Sequence, residues 1–167
     1  MHKLRSPTVS LDSSVVVDFH LTGNLTLLEG LFGGRMLVSN FVTKELADAD
    51  IQVHSAEEVV LSADDEWHFF HDLRKRKQAL GPGELGAITV AKFRHATLLS
   101  NDKQARSAAE EEGVPVSGAI GVLECAVEME SIGPATAVAV LEAMIREGAW
   151  ISDELLELFR QRILHEN

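Results

Sequence analysis

The chain has 167 residues, of which 46% are hydrophobic, and a net charge of −11 from 15 Lys and Arg against 26 Asp and Glu. That length and apolar content imply one domain, 1–167, with a real core and exclude a disordered chain; no apolar stretch is long enough to cross a bilayer. The acidic balance counts against a nucleic-acid binder, whose affinity comes largely from neutralising phosphates, but bound metal would cancel part of it. The basic opening segment, residues 1–7, has no apolar run behind it and gives no secretory signal. A single cysteine, Cys125, permits no internal disulfide and suits a reducing, cytoplasmic setting.

Taken in order, Thr8-Val9-Ser10-Leu11 reads as a short strand ending at Asp12. Residues 14–21 and 26–32 read as helices, and Gly33-Gly34 turns the chain into a strand over 36–38. A helix carrying Glu45 follows, and 51–53 reads as another short strand. Ser62 with Asp65 three residues later resembles a capping box opening a helix through Trp67, Phe70 and Leu73, which ends in the run Arg74-Lys75-Arg76-Lys77. Gly81-Pro82-Gly83 is a turn into a helix over 84–93; then come a buried strand over 97–99 and a helix over 103–112 stopped at Gly113. Val114-Pro115-Val116 reads as the last strand, followed by a helix through Leu123 and Val127. In the helical part 133–167, Pro134 starts one helix, Gly148 ends it, and Ser152 caps another. Strands separated by helices predict an α/β domain with a parallel sheet of four to five short strands covered on both faces. The C-terminal third is expected to pack on this domain or on a partner chain.

Four acidic residues, Asp12, Glu45, Glu84 and Asp102, each lie where an apolar run ends or a helix starts. In an open α/β sheet ligands bind outside the carboxyl ends of the strands, so side chains from distant segments can converge there. Gathered carboxylates repel one another, and a hard divalent cation, Mg²⁺ or Mn²⁺, is the usual remedy. Ser13 and Ser100 are placed to position water or a substrate group, although each also suits a cap or turn. Arg74, Lys75, Arg76 and Lys77 form the one dense cationic run; it can dock phosphates or simply complement a helix C-terminus. There is no phosphate-binding glycine loop. His68 and His71 have no second pair to make a zinc site, and Cys125 reads as core.

At these residues the chain resembles the PIN-domain family. Val9-Ser10-Leu11-Asp12-Ser13-Ser14 is similar to its first strand and first metal-binding aspartate, and Ser39 to Leu46 to its second acidic motif, with Glu45 as ligand. Gly83-Glu84-Leu85-Gly86 resembles the third motif and Ser100-Asn101-Asp102 the last. The stretch from Asn101 through Arg106 to Leu123 resembles the VapC-type toxin branch, which makes Arg106 a candidate substrate contact. Asp18 departs from that branch, where a small or apolar residue is usual, and Ser117 stands where threonine is common. The resemblance implies a Mg²⁺- or Mn²⁺-dependent endoribonuclease acting on single-stranded RNA, often a homodimer neutralised by a cognate antitoxin. The rival readings are a non-catalytic PIN-like module binding RNA or protein, and a phosphotransfer protein with Asp12 as nucleophile. The phosphatase form of the latter lacks an aspartate two residues on, where Ser14 stands.

Overall fold

The computed structural model describes Leu4 and residues 8–165, so the basic opening segment lies, apart from Leu4, outside the described residues. Five short strands, β1 (Val9–Leu11), β2 (Met36–Ser39), β3 (Ala56–Val59), β4 (Thr97–Leu99) and β5 (Val116–Ser117), form one sheet in the order β3-β2-β1-β4-β5. All pairings are parallel, with Leu11 opposite both Val38 and Leu99. The α/β architecture expected from the alternating pattern is the one observed.

Nine helices among the described residues make the connections: α1 (Ser13–Leu21), α2 (Leu25–Phe32), α3 (Asn40–Asp48), α4 (Asp64–Arg76), α5 (Pro82–Phe93), α6 (Lys103–Glu111), α7 (Ala119–Glu128), α8 (Pro134–Arg146) and α9 (Asp153–His165). Helix α5 lies against β1, β2 and β4, flanked by α3, α4 and α6. Ser10 points to this side, its hydroxyl donating to the Ala87 carbonyl at 2.8 Å. Successive strand side chains alternate, so Val9 and Leu11 point to the other side. Both are fully buried, beneath a layer in which α1 packs with α2, α7 and α8. Of the two expectations for the C-terminal third, the first holds: α8 packs on α7 and α9 on α8. Arg160 pairs with Glu142, and Arg162 with Glu124, tying α9 back to α8 and α7. Among the described residues no helix is long and apolar enough to cross a membrane.

Three local expectations change, and two share one cause. The third strand is Ala56–Val59, not 51–53. Ile51 instead closes the end of α3: its N–H donates to the Leu46 carbonyl at 2.8 Å and that of Asp50 to Ala47 at 3.0 Å. Asp50 adopts a left-handed φ of 59°. This is the double hydrogen bond that ends a helix with an apolar residue tucked against its last turn. Val114 does the same for α6, bonding to the Ala109 carbonyl at 2.9 Å beyond Gly113 at φ 73°. The last strand therefore starts at Val116 rather than Val114. Apolar residues that plug helix ends mimic strand starts in sequence.

The third change shifts the start of α4 by one residue. Its N-cap is Ala63, not Ser62, and the carboxylate that reaches back is Glu66, not Asp65. Glu66 accepts from the N–H groups of Ser62 at 3.0 Å and Ala63 at 3.3 Å, and pairs with Arg94 at 2.6 Å. Glu66 is buried, and in this register two N–H groups and Arg94 meet its charge. Burial raises its pKa, but these bonds outweigh burial and hold it below the ordinary glutamate value of 4.5. A carboxyl whose folded pKa is depressed contributes stability above the unfolded pKa and loses it as pH falls. Acidification from about pH 5 downward should therefore lower the urea midpoint, less so in Glu66→Gln. Glu66→Ala should cost about 1 kcal/mol at neutral pH, since it removes the side-chain cap of α4. Equal acid slopes in wild type and Glu66→Gln would show that Glu66 carries no such linkage.

Candidate metal centre

The strand order reverses direction at β1 and β4: the chain leaves β1 toward β2 on one side and leaves β4 toward β5 on the other. A crevice opens at such a point, at the carboxyl ends of the two strands. Asp12 follows β1 directly and Ser100-Asn101-Asp102 follows β4. The Asp12 N–H donates to the Leu99 carbonyl at 3.0 Å, so the ladder itself aligns the two segments.

Asp12 is the deepest of the four carboxylates, 1% exposed. Its Oδ2 accepts hydroxyl bonds from Ser100 at 2.6 Å and Ser14 at 2.8 Å, whereas its Oδ1 is buried without a hydrogen-bond partner. Burial pushes its pKa up, the Ser100 and Ser14 hydroxyls pull it down, the Glu45 charge raises it again and the Ser13 backbone N–H lowers it slightly. Ser13, the next residue, donates to Glu45 Oε2 at 2.8 Å. Glu45 projects from α3 at the exposed rim.

Glu84 sits in the first turn of α5, half-buried, and accepts the Gly81 N–H at 2.5 Å. Burial raises its pKa; the Gly81 bond lowers it, and the charges of Asp12, Asp102 and Glu45 raise it further. One carboxyl thus feels all three others. The flanking glycines allow this. A side chain at Gly83 would collide with the Glu45 carboxylate, and a Cβ at Gly86 would lie 2.7 Å from Ser39 Oγ and 2.8 Å from Phe41. These two positions share one face of α5, and without them α3 could not lie close enough to bring Glu45 beside Glu84.

Asp102 caps α6, accepting the Ala105 N–H at 2.7 Å, and its own N–H donates to Ser100 Oγ at 3.1 Å. Ser100 therefore links Asp12 to Asp102. Asn101, not singled out as a site residue in the sequence, braces the same corner. Its Nδ2 donates to Asp18 at 2.6 Å, its Oδ1 accepts the Ala119 N–H at 2.9 Å and its N–H donates to Ser14 at 3.0 Å. The position between two site motifs residues is the only signal its sequence carries. Asp18, whose pKa burial raises against the Asn101 bond, is a brace for Asn101.

Arg106 lies nearby, donating to the Ser100 carbonyl at 3.2 Å. The cationic run divides. Arg76 pairs with Asp72 at 2.8 Å and Glu112 at 2.7 Å, and Lys77 with Glu111 at 2.5 Å. These two tie α4 to the end of α6. Arg74 instead lines a cleft with Pro82 and Leu85, in the first turn of α5 that carries Glu84.

Among the described residues no three His, Cys, Asp or Glu side chains stand close enough together to hold an ion as they lie. The donor chemistry nevertheless fits a divalent cation. A buried carboxylate oxygen without a partner is costly unless a cation or water meets it, and Glu84 is surrounded by like charge. All four donors are oxygens, the set that suits Mg²⁺ or Mn²⁺.

Asp12 and Glu84 have folded pKa values above their ordinary 3.8 and 4.5. Such groups stabilise the fold at low pH and lose that contribution as pH rises through the raised values. In chelator, these two carboxyls should contribute less to the urea midpoint as pH rises from about 4, so Asp12→Asn and Glu84→Gln should each gain on wild type with rising pH. Mg²⁺ should restore the wild-type midpoint at neutral pH, since a ligand of the folded state alone stabilises it. Slopes unchanged by either substitution would mean that the carboxylates do not strain the fold.

A family model described as a PIN domain matches residues 8–165, which takes in all five strands and each of the four acidic positions. No curated protein matches the chain. On a match of that extent, the chain belongs to the PIN-domain family.

Proposed function

We propose that this protein is a divalent-metal-dependent endoribonuclease that cleaves single-stranded RNA. PIN domains are generally nucleases, and the observation that carries the reading is the buried, unpartnered Oδ1 of Asp12 in a site where Glu84 feels the charges of Asp12, Asp102 and Glu45. Asp12, Glu45, Glu84 and Asp102 would hold the Mg²⁺ or Mn²⁺. Bound there, the cation would acidify water and offset charge on the scissile phosphodiester. The protein's own side chains set the geometry. Ser14 and Ser100 fix the Asp12 carboxylate from one side and leave Oδ1 for the ion. Ser13 holds Glu45, the Gly81 N–H holds Glu84, and the Ala105 N–H holds Asp102. Attack of water on phosphorus in line with the departing 3′ oxygen leaves a 5′ phosphate and a 3′ hydroxyl. A flexible single strand suits an open cleft better than a stiff duplex. Arg74 and Lys75 contribute to holding the strand, Arg76 and Lys77 being committed to α6.

Cleavage of a labelled single-stranded RNA should require Mg²⁺ or Mn²⁺ and stop with chelator. The Asp12→Asn/Asp102→Asn double variant should lose at least about 100-fold in rate, several kcal/mol of transition-state stabilisation, while keeping a cooperative unfolding transition. Arg74→Ser/Lys75→Ser should reduce the salt dependence of RNA binding. Retained cleavage by the purified double variant would defeat the assignment. Metal binding with no turnover on any RNA would favour a non-catalytic binding module.

The resemblance to the VapC-type branch extends the proposal to a toxin acting as a homodimer and held by a cognate antitoxin. Leu158 and Leu164 are 51% and 45% exposed on α9, apolar surface that a second copy would cover. Sedimentation velocity at micromolar concentration should show a dimer; a monomer throughout would remove this part of the reading.

A further inference from the structure

Beside the carboxylates lies a groove of about 690 Å³, a volume that suits a small ligand, lined by Asn101, Lys103, Arg106, Gly118, Trp150 and Ile151 among others. Trp150 is 95% exposed. Its loop is nevertheless pinned on both sides. Ala149 and Ile151 pack against the core, the Ala149 N–H bonds to the Met144 carbonyl at 2.9 Å, and that of Ile151 to Ala149 at 2.9 Å. An indole held in solvent by an anchored loop presents a rigid apolar ring face, with a polar N–H at its edge, to whatever enters the groove.

Charge decides what this groove takes. In a chain of net charge −11, Lys103 and Arg106 are one turn apart on α6 and share a face. Arg106 is bonded to the carbonyl of Ser100, whose hydroxyl holds Asp12. Glu110 stands further along the same helix and closes the groove to anions at that end. Gly118 keeps the floor open, since a Cβ there would lie 2.7 Å from Arg106 Nη1 and 2.6 Å from Asn101 Oδ1. Two cations and an exposed aromatic face therefore share one groove next to the acidic centre, the pair of groups that a phosphate and its neighbouring base require.

We propose that this groove is a nucleotide subsite, in which an unpaired base of a single-stranded nucleic acid stacks on Trp150 while the adjoining phosphate rests on Lys103 and Arg106. The proposal rests on the nuclease reading for the neighbouring centre, but binding alone tests it. With chelator present to prevent cleavage, the affinity for a short fluorescein-labelled single-stranded RNA is measured by anisotropy. Trp150→Ala should weaken binding about 5- to 150-fold, the range of one aromatic–base stack, with Trp150→Phe recovering most of the loss. Its salt dependence should match wild type, whereas Arg106→Gln should flatten that dependence. In a Trp67→Phe background the remaining indole, Trp150, should be quenched by the RNA but not by an abasic strand of equal length.

Wild-type affinity in Trp150→Ala, or equal quenching by the abasic strand, would overturn the subsite, as would failure of the wild type to bind RNA. A shift from dimer to monomer in Trp150→Ala with RNA affinity unchanged would overturn it too, and would assign the indole to a protein contact. If Trp150-dependent binding stands while the wild type cuts no RNA with Mg²⁺ or Mn²⁺, the subsite holds and the nuclease reading fails.

Discussion

The structure turns on one buried carboxylate at the end of its central strand. Asp12 cannot move away from the crevice, because its N–H is part of the ladder to β4 and its Oδ2 is held by Ser14 and Ser100. Its other oxygen is left without a partner, in a place where desolvation opposes charge. Two serine hydroxyls offset part of that opposition and the charge of Glu45 adds to it. Such an arrangement persists only if the rest of the fold overrides its local cost, or if a cation relieves it. Ser100 also accepts the Asp102 N–H and Ser14 the Asn101 N–H, so the two hydroxyls that hold Asp12 tie it to the segment after β4.

Close packing of α3 on α5 completes the centre. Gly83 and Gly86 remove the two side chains that would hold these helices apart, and the buried apolar residues around them, Val42 and Leu46 on α3 with Leu85 and Ile88 on α5, supply the attraction. Hydrophobic burial thus works against carboxylate repulsion and holds Glu45 beside Glu84. Stability given up at a site in this way is common where chemistry needs groups that would not otherwise meet.

Electrostatics outside the crevice follow a similar division of labour. Arg94, Arg76 and Lys77 are used inside the fold, joining α4 to α5 and α6, and Arg160 and Arg162 join α9 to the domain. Lys103, Arg106 and Arg74 lie instead along grooves next to the acidic residues. An acidic protein can receive a polyanion this way, because local placement of a few cations matters more at contact than the overall sum once salt screens distant charge.

Alternating apolar runs and helical periodicity made the α/β class legible from sequence, and the order of the four acidic motifs, Asp12 to Asp102, made the family resemblance legible. Both are local signals, written in a few consecutive residues. The identity of β3 was not legible, because Ala56-Glu57-Glu58-Val59 is a polar edge strand that exists by pairing with β2, while Ile51 and Val114, apolar and strand-like, are spent on helix ends. The start of α4 at Ala63 was not legible either, because Glu66 finds one of its partners in the distant Arg94. The roles of Asn101 and Asp18, the division of the cationic run, and the groove that Trp150 and Arg106 share likewise come from residues far apart in the chain. The sequence by itself determined which elements form and which side chains carry charge; only the tertiary structure decided which charges are paired, buried or left facing the crevice, since pairing energies depend on distances that no local stretch of chain contains.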